Sequence, residues 1–351
     1  MLRLTTFIIL SLCLLVQSPC FSQIDHLKAY AELKAMLEGK QPKDFKRAVF
    51  LTENAYHKKK LSEEAFNQQI QQIVKTLNKM ITEKGFQQYK TAGNWAIHHY
   101  LCKPIPENNF TPYVYDFNDP YGYNNWTNKF VTKLLRTKKG NCQSLPYLYK
   151  ILAEEMGAEA YLAHAPSHLY IKHKDEKGRW FNLELTNGTF SSDAWIISST
   201  HIKAEAIENG VYMKAMSMDE SIALCLIDLA QGYRQRYSYD ALHLEMLDTA
   251  LKYYPNCVLG IGEKSNNFVM KMNKLSSLKR YTHIEQIRQD PTINPLLEEV
   301  ERLTEQINAL GYEEMPEEQY GDWVKVMQKE EEARRAKEKA EALQKHNGNN
   351  D

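Results

Sequence analysis

The chain has 351 residues, enough for two or three packed units at about 100–200 residues each. Its apolar and charged shares, 43% and 25%, are those of an ordinary soluble protein. Lys plus Arg and Asp plus Glu both number 44, so the formal net charge is zero, and no basic excess points to nucleic acid or an anionic membrane as partner.

Residues 1–22 have a character of their own. Arg3 makes a small positive start, Phe7 to Val16 is an apolar core, and Cys20 and Ser22 stand three and one residues before a cut ahead of Gln23. This is the three-part pattern of a secretory signal peptide. The apolar run is far shorter than the roughly 20 residues that cross a bilayer. Pro19 and Leu12 precede the two early cysteines, which argues against a lipoprotein box. The expectation is export to the periplasm or the medium, with no integral membrane segment once the signal is cut. Cleavage leaves Cys102, Cys142, Cys225 and Cys257, for which two disulfides would be ordinary in an oxidising compartment.

Residues 23–90 read as helical. Ser62 is a candidate N-cap with Glu63 and Glu64 behind it, and Phe66, Ile70, Ile73, Val74, Leu77 and Ile81 recur at helical spacing. From Thr91 to Trp126 the Asn-, Pro-, Tyr- and Gly-rich stretch predicts loops, with His98, His99 and the tyrosines as loop packing or cleft lining. A short helix over 130–136 then leads to the Lys138-Lys139-Gly140 turn. A second helix spans about Gln143 to Met156, with Gly157 as its stop and Pro146 tolerated in its first turn. Cys142 therefore stands at or beside a helix N-cap. Strands follow at 160–164, 168–173 and 180–185. Beyond about residue 202 the pattern is helical to 327. Leu226, Leu229, Ala230 and Tyr233 with Leu247, Ala250 and Pro255 resemble one degenerate tetratricopeptide hairpin, read as an appendage able to present a surface to a protein partner. Residues 328–351 are a charged tail, expected to be a solvated end, helical or disordered.

The chemistry lies in "HLYIKHKDEKGRWFNLEL", two alternating runs around a polar turn. Centring the hairpin on Glu176 sets Leu169 opposite Leu183 and Ile171 opposite Phe181, making one side wholly apolar. The other side then holds His168 opposite Glu184, Tyr170 opposite Asn182, and Lys172 opposite Trp180. A directly opposed carboxylate orients one imidazole nitrogen and turns the other outward, as in a Cys-His-acid triad. The plainer reading is a polar pair on the wet face of a hairpin. Cys142 adds weight to the first, because a helix start and a neighbouring imidazolium are the standard causes of a lowered thiol pKa. A zinc set of Cys142, His164 and His168 has no familiar spacing, and neither metal nor cofactor is expected.

The order "GNC" at 140–142, "PSH" at 166–168 and "WFNLELTNG" at 180–188 resembles the core of the transglutaminase-like superfamily, with its papain-like arrangement of thiol, histidine and acid. The resemblance implies an α+β core, in which the Cys-bearing helix packs on a small antiparallel sheet, spanning about residues 91–201 between helical regions. It implies Cys142 as nucleophile, His168 as general base and Glu184 as acid, acting on the amide bonds of a peptide or protein substrate. Glu184-Leu185-Thr186 stands where Asp-Pro-Thr is usual, so Asn182 or Asn187 are alternative orienting groups. The backbone N–H of Cys142 is one oxyanion donor, and Trp126 is a candidate for the second. Hydrolysis is favoured over cross-linking, since no calcium-loop pattern accompanies the core. The rival is an inert module of the same fold that binds a peptide or protein.

Overall fold

The computed structural model describes residues 23–347, so the expected signal peptide lies outside the described residues. Four helices open the chain: α1 (Ile24–Leu37), α2 (Phe45–Tyr56), α3 (Glu63–Lys84) and α4 (Ala92–Cys102). The core follows as β1 (Val114–Tyr115), α5 (Val131–Thr137), β2 (Lys139–Gly140), α6 (Ser144–Glu155), β3 (Tyr161–Ala165), β4 (His168–Lys174), β5 (Trp180–Glu184) and β6 (Thr189–Ser191). Then come α7 (Asp193–Thr200), α8 (Ala204–Glu208), α9 (Met218–Arg236), α10 (Ala241–Tyr253), α11 (Val258–Leu278), α12 (Ile284–Arg288), α13 (Asn294–Ala309) and α14 (Glu317–Asn347).

The start of α3 follows its sequence signals: the Ser62 side chain accepts from Ala65 N, and Gly85 closes the helix at φ +66°. Helix α4 stands where loops were expected. Gly93, Asn94 and two histidines make a poor helix on propensity. Tertiary burial overrides this, because Ala92, Gly93, Ala96, Ile97 and Leu101 form one buried face. Gly93 is required there, since a Cβ would come within 2.7 Å of Ala158 Cβ.

Helix α6 is the centre of the core. Every residue from Ser144 to Ala153 is buried, so the helix is apolar-packed all round rather than amphipathic. Each wholly buried Leu or Ile there contributes roughly 1.5–3 kcal/mol through removal from water. One large cluster unites α6 with the N-terminal helices, one face of the sheet through Leu162, Leu169, Ile171 and Leu183, and helices α9 and α10. Helix α9 is buried from Glu220 to Leu229 except Asp228, and onward through Tyr233, so it is part of this core and not an appendage. The α9–α10 pair is a helical hairpin, and that is as far as the tetratricopeptide likeness extends.

The main sheet is antiparallel in the order β3-β4-β5-β6. Its β4–β5 register differs from expectation by two residues: Ile171 faces Leu183, and His173 faces Phe181. The cause is the turn. Gly178 takes φ +79°, and Asp175 Oδ1 accepts from the N–H of both Lys177 and Arg179 at 2.9 Å. The hairpin is thus centred on Lys177, with Gly178 as the left-handed residue of a three-residue loop. A shift of two preserves which side chains share a face.

The second departure concerns the polar face, which is not wet. The segment from α7 to Met213 packs Ile196, Ile202, Ala206 and Val211 against Ala163, Ala165 and Tyr170. His168, Lys172, Asn182 and Glu184 are consequently all buried. Each has a hydrogen-bond partner, as burial of polar groups demands: Lys172 Nζ donates to Met213 O at 2.8 Å, and Asn182 Nδ2 donates to Asp193 Oδ1 at 2.6 Å.

Gly178→Val should cost about 1–2 kcal/mol through left-handed backbone strain, whereas Lys177→Val should be near neutral. Thermal unfolding of the two variants checks this; equal transition midpoints would contradict the turn described.

Candidate active site

The turn before α6 carries Cys142 and is held by side chains rather than by the helix ladder. Asn141 Oδ1 accepts from Gln143 N at 3.0 Å and from Ser144 N at 3.3 Å, and Asn141 O accepts from Leu145 N at 3.2 Å. Asn141 thus acts as the physical N-cap and Cys142 as the first residue of the helical turn, where its N–H has no helical acceptor. Ser144 Oγ accepts from Asn141 N at 3.0 Å and donates to Asn128 O at 2.9 Å. Gly140, paired with Tyr115 across the parallel β1–β2 bridge, has no room for a side chain, because a Cβ would overlap Ser144 Oγ.

The histidine is set by another tight turn. Ala165 pairs with His168 across a two-residue loop, in which Ser167 adopts φ +54° after Pro166. His168 Nε2 and Glu184 Oε2 are 2.6 Å apart, and Glu184 Oε1 accepts from Thr186 N at 2.8 Å. In the observed register Glu184 lies diagonally from His168, not directly opposite. A diagonal span of about 7–8 Å between backbones suits a long side chain. The extra methylene of glutamate, compared with aspartate, supplies that reach.

The remaining ring nitrogen, Nδ1, is buried without a well-aligned partner and is left to the neighbouring Cys142 thiol. Burial raises the thiol pKa and is the largest single influence on it. The hydrogen bond and charge of His168, helped by Lys129, outweigh burial and bring the thiol below its ordinary value. For His168, burial lowers the pKa, but the charge of Glu184 and the bonds to Cys142 and Glu184 raise it to about 10. Burial likewise pushes Glu184 up, and His168 with the Thr186 N–H more than reverses this, leaving it below the usual carboxylate value. Each of the three groups thus favours the charged form of its neighbour, in the order thiol, imidazole, carboxyl.

The structure brings together Cys142, His168 and Glu184. It gives Asn182 and Asn187 partners other than the imidazole. Asn182 donates to Ser191 O and Asp193, and Asn187 donates to Glu330 Oε2 at 2.7 Å and accepts from Thr189 N at 3.1 Å. Trp126 lies under the Lys129 ammonium, 4.0 Å from its ring centre. His164 Nδ1 meets Tyr254 Oη at 3.2 Å, away from any shared ligand set with Cys142. His98 and His99 bond to Gly188 O and Trp95 O, both at 2.9 Å, so they are helix and loop supports. Cys102, Cys225 and Cys257 are buried free thiols and Cys142 is a partly exposed one, so no disulfide joins them.

Tyr115 is one of the tyrosines expected as loop packing or cleft lining, whereas Lys129, Tyr320 and Trp323 were not anticipated. Lys129 carries no local signal. Tyr320 and Trp323 do, because Tyr320, Trp323, Val324 and Met327 follow the spacing of a buried helical face just before the charged tail. Trp323 stacks at 4.7 Å on the His168 ring, and Tyr320 Oη lies 3.3 Å from Tyr115 Oη.

The core thus joins a thiol at a helix start, a histidine opening a strand and an acid on the next strand. Residues 64–196 match the family model described as the transglutaminase-like superfamily, from α3 into α7. No curated protein and no solved structure matches the chain. The architecture is accordingly a transglutaminase-like core, with a small antiparallel sheet, flanked by helices. No helix among the described residues is long and apolar enough to cross a membrane.

The lowered thiol and raised imidazole pKa values set a pH window. Alkylation of Cys142 by iodoacetamide should remain fast below the ordinary thiol range and decline only as acid protonates the thiolate. His168→Ala should remove the main influence opposing burial and raise the thiol pKa. Glu184→Gln should lower the alkaline edge from about 10, since the imidazolium loses its carboxylate. Rate profiles against pH decide both; superimposable profiles for wild type and His168→Ala would sink the pairing. Gly140→Ala should also slow alkylation, because displacing Ser144 loosens the turn that holds the thiol.

Proposed function

We propose that the protein is an exported cysteine enzyme that performs acyl transfer on amide or peptide bonds, with water as the acceptor. The observation that carries this reading is the His168–Glu184 bond of 2.6 Å, whose other ring nitrogen is left to a thiol at the start of a buried helix. In this reading the Cys142 thiolate attacks the substrate carbonyl carbon and forms a tetrahedral oxyanion. The Cys142 N–H, lacking a helical acceptor, is one donor to that oxyanion. Protonated His168 gives its Nδ1 proton to the leaving amine as the C–N bond breaks, which leaves a thioester. Neutral His168 then takes a proton from water, hydroxide adds to the thioester, and the product carboxylic acid departs as the thiolate reforms.

Glu184 holds the imidazole in one orientation and stabilises the imidazolium without itself gaining the proton. Binding of the imidazole from one side only is what a base that must exchange protons requires. An inert module would gain little from burying three ionisable groups next to one another, since each pays desolvation that apolar packing avoids. Export rests on the pattern of residues 1–22, and the substrate is a peptide or protein in this reading.

Prolonged incubation of the purified chain with a peptidyl vinyl sulfone should add one adduct mass, mapped to Cys142. Cys142→Ala should lose it, and His168→Ala should slow it by about 100-fold or more, the usual worth of a positioned base. Peptide amides should yield carboxylate products, and a primary-amine probe should remain unincorporated. Amine incorporation would replace hydrolysis by cross-linking. Adduct formation independent of both His168 and Cys142 would refute the enzyme.

A further inference from the structure

The imidazole and carboxylate of the candidate triad are covered by the chain itself, while the Cys142 thiol keeps partial exposure. His168 and Glu184 retain only 6% and 4% of their surface, although β4 and β5 end at the rim of the sheet. Beside the segment from α7 to Met213, the beginning of α14 covers the imidazole. Met315, Tyr320, Trp323, Val324 and Met327 form a separate apolar cluster, against which Phe117, Tyr121 and Trp195 of the core pack. Trp323 lies on the imidazole at 4.7 Å, and Tyr320 stacks on Tyr121 at 4.6 Å. The Tyr320 hydroxyl meets Tyr115 Oη at 3.3 Å and reaches the Cys142 sulfur. A hydroxyl beside the sulfur competes with an acyl carbon, which must come within about 3–3.5 Å for attack. The Trp323 indole N–H is buried beside His168 with no acceptor. An unsatisfied buried donor costs about 1–3 kcal/mol, so this packing is not the optimum for the helix.

A polar latch holds the next turns. Glu330 accepts from Asn187 Nδ2 at 2.7 Å, Arg334 Nε donates to Asn187 O at 2.7 Å, and Arg334 Nη1 donates to Cys102 O at 3.0 Å. Glu338 pairs with Lys103. The latch therefore grips the loop that directly follows Glu184. Polar clasps and a small aromatic cluster, separate from the main core, are what a dockable element shows, in contrast to α6 or α9.

We propose that the aromatic surface formed by Tyr115, Phe117, Tyr121 and Trp195 is the substrate-docking surface of the triad, and that α14 occupies it as an intramolecular plug. The folded chain is then autoinhibited until α14 undocks. The surface it vacates takes a polypeptide that presents aromatic side chains in the positions of Tyr320 and Trp323. This rests on the cysteine-enzyme reading for the word substrate, but the occlusion itself does not.

The test uses the full chain with Arg334→Glu, which breaks the latch, and separately with Tyr320→Ala/Trp323→Ala, which empties the cluster. Arg335→Glu is the control, since Arg335 bonds only within its own helix, to Glu331. Cys142 alkylation, mapped by mass, should accelerate about tenfold or more in both undocked variants and not in the control, as a raised open fraction requires. Tryptic cleavage within residues 317–338 should accelerate in parallel. Unchanged or slower alkylation in both variants would overturn the plug, and slower alkylation would make α14 a working part of the site. Should the variants not fold, urea below the main transition of the unmodified chain replaces them. Alkylation rising there together with cleavage of α14 supports the plug, and alkylation confined to the main transition refutes it. Adding His168→Ala to Arg334→Glu separates the two readings. Fast alkylation with a pH profile indifferent to His168 removes the enzyme and keeps the plug. A histidine-dependent profile with no acceleration on undocking removes the plug and keeps the enzyme.

Discussion

The contact between His168 Nε2 and Glu184 Oε2, 2.6 Å long, is buried from both sides of the sheet, and much of the surrounding structure answers to that burial. An ionisable pair taken out of water is tolerable only when its other lone pairs and protons are met. Thr186 N meets the second carboxylate oxygen, and the Cys142 thiol stands at the second imidazole nitrogen. One face of the sheet rests on α6 and the main core, and the other is roofed by the segment from α7 to Met213 and by α14. The pair sits where the roofing elements meet. Trp323 and Tyr320 of α14 thereby join the surroundings of the pair and the thiol.

The scaffold that delivers the thiol works by a different principle. Helix α6 is enclosed by apolar neighbours for ten consecutive residues, Ser144 to Ala153, and so has little freedom to slide or tilt. The turn ahead of it is fixed by Asn141 and Ser144, two small polar side chains that satisfy backbone groups the helix leaves open. Rigid packing behind and short hydrogen bonds in front place Cys142 with a precision that neither provides alone. The same helix is packed on by α2, α3 and α5, so the N-terminal helices support the site although none contributes a reacting group.

Much of the core was legible along the chain. The helix from Ser144 to Glu155, the strands around residues 161–184 and the Ser62 cap all follow from periodicity, turn residues and capping chemistry, which are local rules. Cys142, His168 and Glu184 were legible as candidates because their residue types stand at the right kinds of element in the right order. The hairpin register was not. Gly178 and Asp175 contained the needed turn chemistry, but the apolar pattern is equally satisfied two residues away. Helix α4 was hidden because its residues are weak helix formers, and its stability comes from what it packs against. The docked part of the tail was hidden by its charge: Glu330, Arg334 and Glu338 look like a solvated run until Asn187, Cys102 and Lys103 are placed beside them.

From residues alone one reads which groups are able to react, since pKa, nucleophilicity and turn preference belong to residue types and their near neighbours. The three-dimensional arrangement settles whether those groups meet, and at what offset. It sets Glu184 diagonally from His168, gives Asn182 and Asn187 other partners, and lays Trp323 on the imidazole with the Tyr320 hydroxyl near the thiol. Such contacts join positions far apart in the chain, His168 with Trp323 and Cys102 with Arg334 among them, where no local rule operates. They form because burying an aromatic face and satisfying a polar latch together outweigh the entropy of docking a long helix.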